Sequence, residues 1–205
     1  MKFKFIDGGA HYGESIKNFL NSNISNKEKY KIYSFEADPR NYKVLEKKVV
    51  EYRKKLLKKI KIFNSAISNS KSDKINLFVA DRPTQGSSIM KNKKTGNLKN
   101  KITINNIYFK DFVLNNINID DFCILKLDIE GGEYEIFDCI EKYNLYPYFN
   151  ILLIEFHNKK IGISEKVDKE IMSRFKKHNI FIVNEKEEKN FTTGNWFDFI
   201  KKEQC

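Results

Sequence analysis

The chain has 205 residues, 40% of them hydrophobic, which is enough to bury one core and argues against wholesale disorder. The net charge is +11, but only four of the 38 basic residues are arginine, the side chain best suited to bidentate phosphate contacts, so a nucleic-acid partner is not expected. No apolar run is long enough to cross a bilayer, and the N-terminus carries no signal-type apolar region, which predicts a cytoplasmic protein. Cys123, Cys139 and Cys205 form no CxxC pair and are expected to be reduced thiols.

Apolar runs alternate with helical patterns along the chain, which predicts βαβ units and a mostly parallel sheet. In the first half, strands are predicted at 3–7, 32–36, 60–63 and 75–80, and helices at 12–20 and 39–56. The second helix is preceded by Asp38 as a possible N-cap and begins with Pro39. In the second half, strands are predicted at 102–109, 122–129, 151–156, 180–184 and 196–200, and helical segments at 111–115, 133–143 and 166–177.

Residues 81–101 are polar, carry turn residues and form the best loop candidate in the chain. A loop of this length inside a compact domain is usually functional or mobile. We expect a single domain over 1–205 in which this loop lies over the site. Ser87 and Ser88 would then contact substrate or close over the cofactor, and a merely solvated loop is the alternative.

The sequence FIDGGAHYGES at 5–15 joins the first strand to the first helix through three glycines. Gly9 and Gly13 let the backbone approach a ligand without a Cβ clash, and the helix that follows offers free N–H groups. Glu36 ends the second strand 23 positions after Gly13, where an acidic residue of a βαβ unit can accept both ribose hydroxyl protons. The combination predicts a bound nucleotide.

Asp7 bears on which nucleotide is bound. A carboxylate just before the glycine turn would repel the pyrophosphate of a dinucleotide, whereas it would suit the ammonium group of S-adenosylmethionine (SAM). A plain tight turn with Asp7 as a capping group is the alternative.

These residues, together with later blocks, closely resemble the FkbM-type methyltransferases over nearly the whole chain. The blocks are FIDGGAHYGES at 5–15, YSFEADP at 33–39, NSAISN at 64–69, GSSIMKNKKTGN at 86–97, LKLDIEGGEYEIF at 125–137 and LIEFH at 153–157. The resemblance implies a Rossmann-like α/β fold with helices on both faces of a mostly parallel seven-stranded sheet, the last strand antiparallel. It implies SAM as cofactor and O-methyl transfer to a hydroxyl, commonly of a sugar in a glycan or glycoconjugate. We also expect any N-terminal substrate-binding extension to be missing.

The resemblance also implies a set of cofactor-binding residues. They are Asp7, Gly9, Ala10, His11, Gly13, Ser15, Glu36, Ala37, Ser65, Ala66, Ile67 and Asp128. Within this set, Asp7 is expected at the methionyl end of SAM, Glu36 at the ribose and residues 65–67 beside the adenine. Many members of the family have an acidic residue just before the position of Asp111, and this chain has Lys110, so Asp111 is given no catalytic role.

Methyl transfer to a hydroxyl needs alignment of the acceptor and a route for its proton. Asp128 and Glu130 follow one buried strand and Glu155 and His157 follow the next, at the carboxyl ends where ligands of open α/β sheets bind. These four are the candidate catalytic residues, with a neutral His157 as the preferred base near pH 7. Glu133 is a candidate for substrate binding. Alternatively, the carboxylates cap the next helix and His157 bonds a loop.

The four catalytic candidates could also hold a divalent metal ion, but their spacing gives no tight ligand pattern, so no metal is expected. Two further functions stay open. One is an RNA 2′-O-methyltransferase, which the charge and Lys126 beside Asp128 would suit. The other is a non-catalytic subunit that binds a partner.

Overall fold

The computed structural model describes residues 1–55, 59–82, 86–96, 98, 100–184 and 195–200, apart from the side chains of Arg53 and Lys55. Residues 83–85, 97 and 99 of the predicted loop, Leu56 of the predicted second helix, and Cys205 lie outside the described residues. Cys123 and Cys139 are buried free thiols, as expected. No helix in the described ranges is long and apolar enough to cross a membrane.

Strands and helices alternate along most of the chain. The strands are β1 (Phe3–Gly8), β2 (Tyr30–Phe35), β3 (Ile60–Phe63), β4 (Ala66–Ser68), β5 (Lys74–Val79), β6 (Asn100–Tyr108), β7 (Phe122–Leu127), β8 (Ile151–Ile154) and β9 (Phe181–Asn184). The helices are α1 (Glu14–Asn21), α2 (Pro39–Lys55), α3 (Phe109–Asn116), α4 (Glu133–Lys142), α5 (Asn158–Ile161) and α6 (Glu165–Lys177). Short 3-10 helices lie at Lys27–Lys29, Tyr146–Tyr148 and Trp196–Phe199.

The main sheet has six strands in the order β3-β2-β1-β7-β8-β9, and every neighbouring pair is parallel. The chain builds outward from β1 through β2 to β3, and then continues on the other side of β1 with β7. This reversal between β1 and β7 is the topological switch point, where open α/β sheets bind ligands beyond the carboxyl ends of the strands. The site therefore belongs above Gly8 and Leu127.

Two apolar cores cover the two faces of the main sheet, which confirms helices on both faces. Successive strand residues alternate between them, since neighbouring side chains of a strand point to opposite faces. Phe5 and Ile124 pack in the core that contains α1, α2 and Trp196, whereas Ile6 and Leu125 pack in the core that contains α3, α4 and α6. Burial on both faces explains why the central strands are continuous apolar runs.

A second sheet of three strands, in the order β4-β6-β5, stands beside the main one. β4 runs parallel to β6, and β5 runs antiparallel to it. Ser88, within the predicted loop, forms an isolated antiparallel bridge with Phe78 of β5. The smaller sheet thereby fixes one wall of the region above β1 and β2.

One predicted strand is wrong. Residues 196–199 form a 3-10 helix whose Trp196 and Phe197 are buried against the main sheet, so this segment packs through aromatic side chains and adds no strand. In the described part of the chain the main sheet has six parallel strands, and the antiparallel seventh is not among them.

Candidate active site

A cleft of about 320 Å³ opens at the carboxyl ends of β1, β2, β7 and β8. Fourteen of the residues predicted for the site line it: Gly9, Ala10, His11, Ser15, Glu36, Ala37, Ser65, Ala66, Ile67, Ser87, Ser88, Asp128, Glu130 and Glu155. The volume falls in the range of small-molecule sites, about 300–1,000 Å³. We call the part of the cleft near Glu36 the nucleotide end, after the ligand predicted there, and the part near Asp128 the acidic end.

Glu36 stands at the end of β2 and is held by backbone donors. The N–H of His11 donates to one carboxylate oxygen at 2.8 Å, and the N–H of Asp38 donates to the other at 2.9 Å. The side chain is almost buried, and burial raises its pKa to about 7. Each oxygen keeps acceptor capacity, so the carboxylate can receive further hydrogen bonds from a ligand in the cleft.

Gly9 serves a packing role in addition to lining the cleft. Its φ is +81°, and a Cβ added to it would lie 1.8 Å from the carbonyl oxygen of Asp128. The first glycine turn therefore rests directly on the backbone that follows β7. Gly13 also has a left-handed φ, but it faces Leu45 in the core and does not line the cleft.

Asp7 lies beneath the cleft and does not line it. Its Oδ2 accepts hydrogen bonds from the hydroxyls of Ser15, at 2.6 Å, and Ser34, at 3.1 Å. Its Oδ1 lies 3.4 Å from the Nζ atom of Lys126, which also donates to the carbonyl of Gly9 at 2.8 Å. With its charge opposed by a buried lysine, Asp7 is placed to stabilise the turn.

Glu14, which the sequence analysis missed, lies half-exposed directly after the glycine turn. It lines the cleft from the first turn of α1, and its carboxylate accepts a hydrogen bond from the N–H of Tyr12 at 3.0 Å. Burial alone would raise its pKa, but a hydrogen bond from His11 and other interactions lower that pKa to about 2. An ionised carboxylate thus occupies the helix N-terminus that could otherwise bind a phosphate.

Asp38 joins the nucleotide end to the loop. Its Oδ1 accepts a hydrogen bond from the N–H of Arg40 at 2.9 Å, which confirms it as the N-cap of α2. Its Oδ2 accepts from the Ser87 hydroxyl at 2.7 Å and from the Arg40 guanidinium at 2.7 Å. Burial alone would raise the pKa of Asp38, but these donors lower it below its usual value. Ser87 is therefore fixed by Asp38 at the cleft wall.

At the acidic end, the carboxylates of Asp128, Glu130 and Glu155 line the cleft together. Burial raises the pKa of Asp128, while Lys126 at 3.4 Å opposes that effect. Burial would also raise the pKa of Glu130, but charges that include Lys93 hold it below its usual value. The three side chains therefore lie together at one edge of the sheet, where the sequence placed them.

His157 lies behind these carboxylates, with its side chain 1% exposed, and does not line the cleft. Its Nδ1 lies 2.9 Å from Glu133 Oε1, and its Nε2 lies 3.2 Å from Glu155 and 3.6 Å from Glu130. Burial alone would lower its pKa, but the surrounding carboxylates raise that pKa to about 10. The geometry therefore argues against a neutral His157 base near pH 7, because a protonated imidazole cannot accept a proton.

Glu133, predicted to bind substrate, is fully buried and lies beneath His157. One oxygen accepts from both the ring and the backbone N–H of His157, and the other accepts from the N–H of Gly131 at 2.9 Å. Its contacts make it a support for the acidic end, since both oxygens are engaged by neighbouring groups and Glu133 does not line the cleft.

Residues of the loop contact Glu130 at the acidic end. The φ of Glu130 is +57°, which is unusual for a residue with a side chain. The Nζ of Lys93, fully buried, lies 2.9 Å from its Oε2, and that of Lys160 lies 3.0 Å from the same oxygen. The Ser88 hydroxyl donates to the carbonyl of Glu130 at 2.7 Å. These lysines had no sequence signal, because the chain has many lysines and their contacts are long-range.

The parallel sheet, the helices on both faces and the cleft at the switch point define a Rossmann-like α/β protein. A model of the family described as the methyltransferase FkbM domain matches residues 7–199. The chain therefore belongs to the FkbM methyltransferase family and carries a methyltransferase domain.

One solved structure and the curated proteins complete the comparison. The crystal structure of methyltransferase FkbM from Methylobacillus flagellatus KT is 17% identical in sequence and aligns with a TM-score of 0.43. The match covers 70% of this chain and 31% of that one, so the chain spans less than a third of the length of that protein. No curated protein sequence matches the chain.

Proposed function

We propose that the protein is a SAM-dependent O-methyltransferase that methylates a hydroxyl group of a sugar in a glycan or glycoconjugate. The observation that carries the proposal is the cleft itself, which joins the carboxylate of Glu36 to the carboxylates of Asp128 and Glu155 in one space. A nucleoside at the first end would place a reactive methyl group toward the second. Family membership supports methyl transfer as the reaction.

The nucleotide end fits the adenosine part of SAM. Glu36 can accept hydrogen bonds from the two ribose hydroxyls. Ala66, Ile67 and Leu77 offer an apolar wall for the base. The hydroxyl oxygen of Ser65 is buried without a hydrogen-bond partner among the described residues, so a polar atom of the base can satisfy it.

Glu14 supports SAM over a dinucleotide. The argument first made for Asp7 transfers to it, because Glu14 faces the cleft and Asp7 is paired with Lys126. An ionised carboxylate at the N-terminus of α1 repels a pyrophosphate and attracts the ammonium group of the methionyl part. We expect Glu14→Gln to weaken SAM binding and to leave the fold intact, since half of this side chain is exposed.

The acidic end fits an acceptor rich in hydroxyls. Carboxylates of Asp128, Glu130 and Glu155 can accept hydrogen bonds from several sugar hydroxyls, and Lys160 adds a donor near Glu130. In the reaction, the bond from sulfur to the methyl carbon breaks as the bond from that carbon to the acceptor oxygen forms. SAM leaves as a neutral thioether and the hydroxyl proton passes to a carboxylate. Alignment in the cleft supplies about 7–11 kcal/mol of the barrier in well-oriented reactions of this kind.

RNA is a weaker candidate on the same geometry. Lys126, which suggested it, is 3% exposed and is committed to Asp7, Asp128 and the carbonyl of Gly9. A lysine in that position has no free face for a phosphate.

The first test is calorimetry with SAM, S-adenosylhomocysteine and NAD. We expect the first two to bind in the micromolar range, near −8 kcal/mol, and NAD not to bind. Glu36→Gln should weaken SAM binding, and Glu51→Gln, on the exposed face of α2, should not. Tight NAD binding without SAM binding would remove the proposal.

The second test follows the methyl group. Labelled SAM is incubated with a panel of glycans, nucleotide sugars and capped RNA. Label in a sugar hydroxyl supports the proposal, and label in RNA alone replaces it with RNA methylation. SAM binding without transfer to any acceptor class would favour a non-catalytic subunit.

A further inference from the structure

Three side chains from the ends of two neighbouring strands come together at the acidic end. Asp128 follows β7, and Glu155 and His157 follow β8. Each offers one ligand atom, and the three atoms lie within 4.8 Å of one another. Two carboxylate oxygens and one imidazole nitrogen at this separation form a donor set suited to a divalent metal ion.

The nitrogen of this set is buried and unsatisfied. His157 Nε2 has no hydrogen-bond partner among the described residues, although its residue is only 2% exposed. It is aimed at the other two groups, 3.2 Å from Glu155 Oε1 and 3.8 Å from Asp128 Oδ1. A buried nitrogen that faces carboxylates without a well-formed hydrogen bond calls for an explanation, and a bound cation supplies one.

Glu133 fixes the orientation of the imidazole. Its Oε1 lies 2.9 Å from His157 Nδ1 and also accepts the backbone N–H of His157, so the ring is held from behind. With Nδ1 as the donor to this carboxylate, release of the Nε2 proton on metal binding would leave the Nε2 lone pair facing the cluster. A carboxylate behind a histidine whose other nitrogen is free is the arrangement that supports metal-ligating histidines in proteins.

The neighbouring lysines contact other oxygens of the acidic end. Lys126 contacts Asp128 through Oδ2, which leaves Oδ1 directed toward His157. Glu130 is close to His157, but its Oε2 is paired with Lys93 and Lys160. The side chains of Asp128 and Glu155 are each 30% exposed to the cleft, so the open side of the site can receive water or an acceptor oxygen.

We propose that Asp128, Glu155 and His157 bind a divalent metal ion, with Glu133 as the residue that positions the histidine. The metal's role rests on the proposed methyl transfer, but its binding does not. The bases facing the cleft are carboxylates, whose ordinary pKa values near 4 make them weak bases for an alcohol. A metal ion held by these residues would lower the pKa of an acceptor hydroxyl, so that a nearby carboxylate could receive the proton.

The test is titration of the metal-free protein with Mn²⁺, followed by electron paramagnetic resonance of the free ion. We expect one site per chain, with at least tenfold weaker binding in Glu155→Gln and His157→Gln, and about 10–100-fold weaker binding in Glu133→Gln. Glu155→Gln keeps the experiment decisive if His157→Gln fails to fold. His178→Gln, which changes an exposed histidine stacked on Tyr146, is the matched control and should bind as the wild type does.

The two proposals fail in different ways. Absence of Mn²⁺ binding, or equal affinity in the Glu155→Gln and His178→Gln variants, overturns the metal site. Methyl transfer that continues at full rate with a chelator present overturns the metal's role in the reaction and leaves the proposed function standing. Site-specific Mn²⁺ binding in a protein that does not bind SAM would support the metal site and remove the proposed function.

Discussion

The two ends of the cleft are built in different ways. At the nucleotide end, Glu36 is held by backbone N–H groups of His11 and Asp38, all between the end of β1 and the start of α2. At the acidic end, Glu130 meets Lys93 and Lys160, and His157 meets Glu133, so the site depends on side chains brought together by the tertiary fold. The comparison teaches that the position of a side chain held by local backbone can be predicted from spacing, whereas the protonation state of a clustered group cannot.

The largest effect that can sharpen this contrast is the proton affinity of His157. In the metal-free protein with a chelator present, we expect the ring to lose its proton at about pH 10, because Glu133, Glu155, Glu130 and Asp128 face it. The ordinary value is 6.5, so proton affinity rises by about three orders of magnitude. The measurement is a pH titration of the ring nitrogen chemical shifts by NMR, with His157→Gln used to assign the signals.

The same shift has a consequence for stability. A histidine whose folded pKa lies above its unfolded value stabilises the fold fully below about pH 6.5, and this contribution is lost as pH rises through about 10. Urea unfolding between pH 6 and 10 should therefore show falling stability in the wild type and a flatter profile in His157→Gln. A midpoint near 6.5 in the NMR titration would restore His157 as a base.

Asp128→Asn tests the acidic end alone. The amide keeps the shape and loses the charge, so turnover should fall by about 10²–10⁴-fold, the range for a lost acid–base group. The affinity for SAM should stay nearly constant, because the proposed contacts with its adenosine part lie at the other end. The control is Asp111→Asn, an exposed carboxylate on α3 that should leave turnover unchanged. Equal losses in SAM affinity and turnover would show that Asp128 acts on the cofactor.

Much of the fold could be predicted from the sequence. The strands at β1, β2, β3, β7, β8 and β9 were found because burial on both faces leaves continuous apolar runs. β4 was missed because Ala66–Ser68 is three residues long and reads as part of a loop. The strand predicted at 196–200 failed because its aromatic residues suit a strand and a packed 3-10 helix equally well.

The site was predicted in position but not in every role. Glu36 and Ser65 were found through spacing and family resemblance, and both line the cleft. The pairing of Asp7 with Lys126 could not be predicted, because it joins residues far apart in the chain. The preference for a neutral His157 used the ordinary pKa of imidazole, which burial among carboxylates overrides.

Glu36→Gln tests the nucleotide end alone. We expect SAM binding to weaken by about 1–3 kcal/mol, because ribose hydroxyls bond more weakly to an amide than to a carboxylate. Glutamine is the sharper variant, since alanine would also leave the buried N–H groups of His11 and Asp38 without their partner. Calorimetry against Glu51→Gln checks the loss.

Glu36 also predicts a pH dependence of binding. Its folded pKa of about 7 lies above the ordinary 4.5, so the carboxylate becomes the main form only above neutral pH. SAM affinity should therefore rise between pH 6 and 8 in the wild type and stay level in Glu36→Gln. A level profile in both proteins would show that the ribose is bound elsewhere.

The smallest effect concerns the loop, predicted to be mobile over 81–101. Ser88 is anchored by a pair of backbone hydrogen bonds to Phe78, at 2.8 and 3.0 Å, so its amide should exchange slowly at all times. The exposed part around Lys91 should exchange faster and should slow when SAM binds. Hydrogen–deuterium exchange by mass spectrometry checks this, and uniformly slow exchange in the free protein would refute it.

The close approach of Gly9 to the carbonyl of Asp128 couples the two ends of the cleft. If a bound nucleoside displaces the glycine turn, we expect the backbone that carries Asp128 to move with it, because no side chain separates Gly9 from that backbone. Such an arrangement favours cooperative binding, and thermodynamic linkage then requires reciprocity. If SAM raises the affinity for the acceptor by some factor, the acceptor must raise the affinity for SAM by the same factor. The order in which the two substrates bind would then change the kinetics and leave the overall free energy of assembly unchanged.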